Sequence, residues 1–408
     1  MILRKILLTN FRNYSNLELN FDKKINIFTG NNAQGKTNIL EAIYVLSLTK
    51  SHRCNKDLFL IKQDSLFTKI NGEVNNNDLT NKYEVLINKE GKRVSINNKI
   101  LKKMSNYISN INCIMFCPDD LEIIKGSPST RRTFLNIEIG QFYNNYLKIL
   151  NEYNKILKSR NEYLKNNKFD KNYFDILTDK LIEKNIDIYY YRKEFIEKIN
   201  NYIITIYKSI TKKDKIKVIY ETFVEGDNEQ DIRYNLREKY DRVFDSELYQ
   251  GMTLIGVHRD DFSVYIDNIK INNYGSQGQH RIAILCFKLA EIELYKEKNI
   301  NPIILLDDIF SELDVRKKAS IIKYINNDLQ VFITTTDLNN INKKLTKNAD
   351  IFKVSKGKVT RGEKDEWKLW CIRYSSIRRV RSSKKKTRNV YWNNRCKRIT
   401  PFSMGNCW

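Results

Sequence analysis

Lys36 and Thr37 stand near the end of the run Gly30-Asn31-Asn32-Ala33-Gln34-Gly35-Lys36-Thr37-Asn38, in which four residues separate two glycines and Lys-Thr follows directly. The chemistry of that spacing is polyphosphate binding. Glycines let successive backbone N–H groups turn inward around a polyanion, and a helix starting behind them adds the positive end of its dipole. A lysine in this place reaches β- and γ-phosphates, and the threonine hydroxyl can enter the shell of a Mg²⁺ ion. An accidental glycine-rich turn is the competing reading, and the flanks decide between the two. The apolar stretch Ile25-Asn26-Ile27-Phe28 leads in as a strand, and residues 38–46 lead out with helical character. The chain therefore binds a nucleoside triphosphate.

A second group of reactive side chains lies far downstream. Pro302-Ile303-Ile304-Leu305-Leu306-Asp307-Asp308 is a short apolar run ending in two carboxylates. It has the pattern of a strand buried on both faces of a parallel sheet. Asp307, at its C-terminal end, is placed to hold the magnesium shell with Thr37, as Walker-B aspartates do. Asp308 is the candidate to polarise the attacking water. The expected catalytic set is thus Asp308, Asp307 and Lys36, and the expected metal ligands are Thr37 and Asp307.

Before this strand comes Tyr274-Gly275-Ser276-Gln277-Gly278-Gln279-His280-Arg281, opening the apolar helix 282–290, and after it comes Ser311-Glu312-Leu313-Asp314. Ser-Gln-Gly-Gln alone is compatible with a simple helix cap. Followed by the Asp-Asp strand and Ser-x-Leu-Asp, it resembles the order of motifs in ATP-binding-cassette ATPases. That resemblance implies ATP as the nucleotide and places Ser276, Gly278 and Gln279 against ATP held by a second subunit. The working unit would then be an ATP-dependent homodimer.

Further stretches narrow the resemblance. They include Leu8-Thr9-Asn10-Phe11-Arg12-Asn13-Tyr14, Lys50-Ser51-His52-Arg53, Pro118-Asp119-Asp120-Leu121 and Lys125-Gly126-Ser127-Pro128 with Arg131-Arg132. His258-Arg259-Asp260-Asp261 and Phe332-Ile333-Thr334-Thr335-Thr336-Asp337 follow. Over residues 1–361 the chain resembles the RecF family of bacterial recombination-mediator ATPases. The resemblance implies an α/β fold, an ATP-binding-cassette head with an inserted helical arm. It also implies a weak DNA-dependent ATPase acting as a switch at single-stranded, gapped or double-stranded DNA, with RecR and RecO as partners and RecA loaded downstream. Arg12 is implied as a contact to ATP phosphates. Two departures are visible: Val257 stands where proline is expected, and Asp308 replaces the usual glutamate. Being one methylene shorter, Asp308 is expected to give slow turnover. A structural chromosome-maintenance ATPase is opposed by the short arm. A transporter-type ATPase is opposed by Thr334-Thr335-Thr336, which has no switch histidine. Arg131 and Arg132 suit either a DNA phosphate or a solvated helix face.

The elements that must position these groups fall into zones. Residues 1–139 alternate short strands with turns such as Asn71-Gly72 and Glu90-Gly91, and residues 251–361 carry the downstream motifs; together they form the head. Residues 140–250 hold long runs with apolar positions at helical spacing, the pattern of an arm. The chain has 408 residues, no long apolar run for a membrane span, and seven scattered cysteines that do not suggest a disulfide framework. It starts directly on an alternating strand, without the pattern of a signal peptide, which points to the reducing cytoplasm. The net charge of +24 indicates a polyanionic partner. Part of it belongs to residues 362–408, which hold 13 Lys and Arg against 3 Asp and Glu, leaving +14 for the rest.

That terminal stretch departs from the pattern of the remainder. It contains all four tryptophans and loses hydrophobic periodicity, and the basic run 378–388 has no helical or strand face. A basic DNA-binding tail is one reading. The other is translation out of frame: shifted by one nucleotide from Asp365 onward, the stretch permits a start codon and a peptide resembling the N-terminus of the DNA gyrase B subunit. On that reading the tail is disordered and without function. A genomic sequence that cannot encode such a peptide in the shifted frame excludes it.

Overall fold

The computed structural model describes residues 1–76, 79–165, 170–312, 314–325, 328–341 and 343–362. The off-pattern tail therefore lies, from residue 363 on, outside the described residues.

Five parallel strands stand in the order Ala349–Ser355, Ile25–Thr29, Val331–Thr335, Ile303–Asp307, Cys113–Phe116. Both faces of this sheet are covered, which is why its strands are near-continuous apolar runs. One face presents Phe28, Phe332, Phe352, Ile303 and Leu305 to a core shared with helix Lys36–Leu48 and an antiparallel sheet. The other face presents Ile27, Ile333, Ile304 and Leu306 to a core built with helix Gln277–Glu297. The antiparallel sheet runs Tyr14–Asn20, Ile2–Phe11, Phe67–Asn76, Leu79–Asn88, Gly91–Ile96, Lys99–Ile100. Helix Lys36–Leu48 lies between the two sheets and is buried on nearly all sides, so its sequence shows little amphipathic contrast.

One sequence expectation fails here. Asn71-Gly72 is not a turn but the middle of strand Phe67–Asn76. A Cβ added at Gly72 would lie 2.2 Å from Leu46 Cδ2, so this glycine allows the helix to approach the strand closely rather than reversing the chain. Glu90-Gly91 does reverse it: Asn88 Oδ1 accepts from both the Glu90 and Gly91 N–H groups at 3.0 Å.

Residues 140–250 supply helices Tyr146–Leu164, Lys171–Thr211 and Glu229–Gln250, together with strand Ile216–Glu221. The 41 residues of Lys171–Thr211 span about 60 Å at 1.5 Å per residue. Strand Ile216–Glu221 pairs antiparallel with Asp261–Ile266, and the long helix shares a core with Gln277–Glu297. Residues Met1–Val359 form one compact unit. Inside the helical region, Arg160 Nη2 donates to Glu247 Oε2 at 2.7 Å, and Nε and Nη1 donate to Thr178 and Thr253 hydroxyls at 3.1 and 2.8 Å. The Arg160 guanidinium also faces the Phe174 and Tyr240 rings at 4.4 and 4.9 Å.

Candidate nucleotide-binding site

Strand Ile25–Thr29 ends in the glycine loop, and helix Lys36–Leu48 begins where the loop closes. A Cβ at Gly30 would sit 2.2 Å from the Val354 carbonyl oxygen, and one at Gly35 would sit 2.6 Å from both Asn13 Nδ2 and Tyr14 Oη. Gly35 also has φ of 109°, a conformation that side chains oppose. The two glycines are therefore demanded by close approach at both ends of the loop, of backbone at Gly30 and of side chains at Gly35. Tyr14 donates to the Gly35 carbonyl at 3.1 Å, and Lys356 N donates to Gln34 Oε1 at 2.6 Å. Asn38 Nδ2 donates to Asn13 Oδ1 at 2.8 Å, tying the helix start to the first hairpin. Lys36 Nζ crosses the loop and donates to the carbonyls of Gly30 and Asn31 at 2.8 Å each. Burial lowers the Lys36 pKa from its ordinary value, with Asp308 and Asp307 acting in the opposite direction.

The two carboxylates meet this loop from strand Ile303–Asp307. Asp307 Oδ1 accepts from the Thr37 hydroxyl at 2.9 Å and from the Thr334 hydroxyl at 2.6 Å. Thr334 Oγ1 in turn accepts from the Asp308 backbone N–H at 2.9 Å. Asp308 has φ of 49°, the left-handed region that aspartate tolerates better than most residues. Its Oδ1 is buried and has no hydrogen-bond partner. Asn32, Ala33, Gly35, Lys36, Thr37, Asn38, Arg53, Asp308 and Thr334 line one cavity of about 410 Å³. The structure thus brings loop, metal-ligand candidates and water-polarising candidate to one place.

Arg12 is not among the lining residues. Its Nε and Nη2 donate to Glu41 Oε2 and Oε1 at 2.9 and 2.6 Å, and Nη1 donates to the Phe59 carbonyl at 3.0 Å. Glu41 is buried on helix Lys36–Leu48 and also accepts from Ser51 at 2.5 Å. Arg53 reaches the cavity wall, donating to Asn38 Oδ1 at 3.1 Å. Arg131 is buried and bidentate to Asp261, both bonds 2.7 Å, so it does not sit on a solvated helix face. Arg132 donates to the Asp260 carbonyl at 2.9 Å. His258 accepts from the Tyr153 hydroxyl at 2.6 Å when its Nε2 donates to the Thr253 carbonyl at 3.1 Å. Burial pushes the His258 pKa down to about 4, so it is neutral at physiological pH.

Ser276 caps helix Gln277–Glu297. Its Oγ accepts from Gln279 N at 3.3 Å, and Gln279 Oε1 accepts from Ser276 N at 2.8 Å, a reciprocal capping box. Ser276, Gln277 and Gly278 are exposed, and Ser276, Gly278 and Gln279 take no part in lining the cavity of their own chain. Asp314 N-caps helix Val315–Tyr324, accepting from Lys317 N at 3.0 Å; Leu313 lies outside the described residues. Sequence reasoning missed Thr334 and Glu41. Thr334 was available from register, because it pairs with Asp307 in the neighbouring parallel strand. Glu41 gave no signal, since a glutamate on a helix ordinarily faces water.

Comparison with known proteins agrees with this geometry. A family model described as RecF/RecN/SMC N terminal domain matches residues 2–360. The chain is 39% identical to the DNA replication and repair protein RecF of Ligilactobacillus salivarius, over 88% of this chain and 97% of that protein. It is 40% identical to the DNA replication and repair protein RecF of Listeria welshimeri, over 88% and 99%. A solved structure of the recombination mediator protein RecF with ATP, from the RecFOR pathway, superposes with a TM-score of 0.82 at 33% identity, covering 88% of this chain and 97% of the other. An Smc head bound to the C-winged helix domain of ScpA shares the fold at a TM-score of 0.50 and 17% identity, covering 90% and 100%. With its phosphate loop, paired aspartates and capped signature helix in one head, this chain belongs to the RecF family.

Proposed function

We propose that this chain is an ATP-gated DNA clamp of recombinational repair and replication. The observation that carries the reading is an asymmetry. The loop and Asp308 line one cavity, with Asp307 bonded to Thr37 beside it, while Ser276, Gly278 and Gln279 take no part in lining it. A second copy supplies what each cavity lacks, so two heads close on two ATP molecules. Thr37 Oγ1 and Asp307 Oδ1, hard oxygens 2.9 Å apart, suit Mg²⁺, which takes few protein oxygens and completes its octahedron with water and phosphate. When bound, that ion offsets charge between the β- and γ-phosphates. Lys36 orients the phosphates, Thr334 holds Asp307 in place, and the unpaired Asp308 oxygen accepts a hydrogen bond from the attacking water.

Closure uses nucleotide binding, and hydrolysis opens the dimer, so the weak, DNA-dependent ATPase acts as a timer. The charge of +14 outside the tail suits single-stranded, gapped and double-stranded DNA held through phosphates. RecR and RecO are the partners, which the RecFOR pathway of the similar RecF–ATP structure supports, and RecA is the protein loaded next, in the cytoplasm. Among the described residues, no helix is long and apolar enough to cross a membrane.

The test is the mass of the particle in solution with ATP, ADP or no nucleotide, with and without gapped DNA. Wild type is expected to dimerise with ATP alone among these, and Lys36→Arg and Ser276→Arg are expected to stay monomeric. A monomer under every condition that still hydrolyses ATP would remove the shared-site mechanism.

A further inference from the structure

The cavity at the phosphate loop takes its lining from the loop, Arg53, Asp308 and Thr334. Its lining has polar, charged and small residues and no aromatic ring. A flat, apolar purine face needs a partner of its own kind, and stacking on an aromatic side chain is the usual one. If the site is completed by a second copy, a ring beside that copy's signature is placed to stack on the base.

Tyr274 meets this requirement. It lies two residues before Ser276, and its side chain is largely in water at 79% exposure. The backbone beneath it is fixed on several sides. Gly275 N donates to the Ile271 carbonyl at 2.9 Å, and His280 Nε2 donates to the same carbonyl at 2.7 Å. A Cβ on Gly275 would lie 2.6 Å from His280 Nε2, so no other residue brings the chain this close to the helix. Asn272 donates to the Ile124 carbonyl at 3.4 Å and accepts from Val264 N at 2.9 Å. The segment Ile271–Tyr274 is therefore a rigid mount that ends in an exposed phenol ring. Exposed tyrosine on a rigid support is the side chain that gives large contact area at low ordering cost.

We infer that Tyr274 is the base platform of the nucleotide held by the other copy, stacking on the adenine ring while Ser276 of the same segment meets the phosphates. The inference rests on the shared-site dimer proposed above. Two residues of extended chain span about 7 Å, and the tyrosine side chain adds to that reach, so both ends of one nucleotide lie within the grasp of this segment. The contact is made across the dimer and is absent from the monomer. Tyr274 then contributes to ATP-driven closure without contributing to the first binding of ATP.

The experiment compares wild type, Tyr274→Phe and Tyr274→Ala by ATP titration of dimer formation, and measures ATP binding to monomers fixed by Ser276→Arg, with and without Tyr274→Ala. Tyr274→Ala is expected to raise the ATP concentration at half-dimerisation about tenfold, equivalent to about 1.4 kcal/mol, and Tyr274→Phe to leave it unchanged. ATP affinity of the Ser276→Arg monomer is expected to be the same with either residue at 274. Thermal unfolding of Tyr274→Ala, expected to match wild type for so exposed a side chain, separates the effect from misfolding. An unchanged titration for Tyr274→Ala overturns the inference and leaves the dimer standing. An equal loss of ATP affinity in the monomer also overturns it, because the ring then acts within its own chain. Wild type that never dimerises with ATP overturns both readings.

Discussion

Asp307→Asn is expected to reduce ATP hydrolysis by about 10²–10³-fold, the scale of losing one preorganised electrostatic group. The side chain keeps its shape and loses its charge, so the change isolates chemistry from packing. Asp307 Oδ1 accepts from Thr37 and Thr334 at 2.9 and 2.6 Å, and asparagine oxygen can still accept both. The Mg²⁺ requirement should therefore change more than the fold. Hydrolysis is followed as phosphate release across a Mg²⁺ titration, with thermal unfolding as the control. A variant with wild-type turnover at wild-type Mg²⁺ would show that Asp307 is no metal ligand. Thr334→Val should show a weaker form of the same defect, because it frees Asp307 to rotate and leaves the Asp308 N–H without its acceptor.

Glu247→Ala is expected to destabilise the chain by about 3–5 kcal/mol, the cost of leaving a buried charge without its partner. Arg160 and Glu247 are both fully buried, at 0% exposure. The guanidinium has two threonine hydroxyls and two aromatic faces, none of which neutralises it. Glu247 Oε1 also accepts from Leu254 N at 2.8 Å, so the carboxylate fixes the turn after helix Glu229–Gln250 as well. Urea unfolding measures the cost. Arg160→Met combined with Glu247→Leu should recover most of it, since replacing a buried pair with apolar residues of similar volume is often neutral. If the single change costs no more than the double, the ion pair does not carry the stability of the helical region.

Much of the head was legible because its motifs specify backbone locally. Gly30 through Thr37 define a turn, a lysine and a hydroxyl within one short segment, and Ile303 through Asp308 define a buried strand with carboxylates at its end. A parallel sheet then brings Thr37 and Asp307 together whatever the length of chain between them. Helices Tyr146–Leu164 and Lys171–Thr211 were equally plain from their spacing. The ion pairs were not. Arg131 finds Asp261, and Arg12 finds Glu41 on the phosphate-loop helix; neither pairing follows from periodicity, because each depends on where the path of the chain returns. Gly72 misled for a related reason. Its neighbour Asn71 makes a turn-like dipeptide, whereas the decisive contact is Leu46 on a different element.

The order of the parallel strands has a consequence for how the protein is made. Ile25–Thr29 is flanked by Val331–Thr335 and Ala349–Ser355, so both of its hydrogen-bonding neighbours leave the ribosome long after it. At about 5–20 residues per second, that strand waits roughly 15–60 s for its partners. The antiparallel sheet needs only early residues and can form in the meantime, shielding one side of Phe28 and helix Lys36–Leu48. ATP cannot assist this first stage, because Asp307, Asp308 and Thr334 have not yet been synthesised. Nascent chains therefore have to survive with an unpaired apolar strand until those two strands have been translated, and a chaperone that holds this intermediate should raise the yield of active protein.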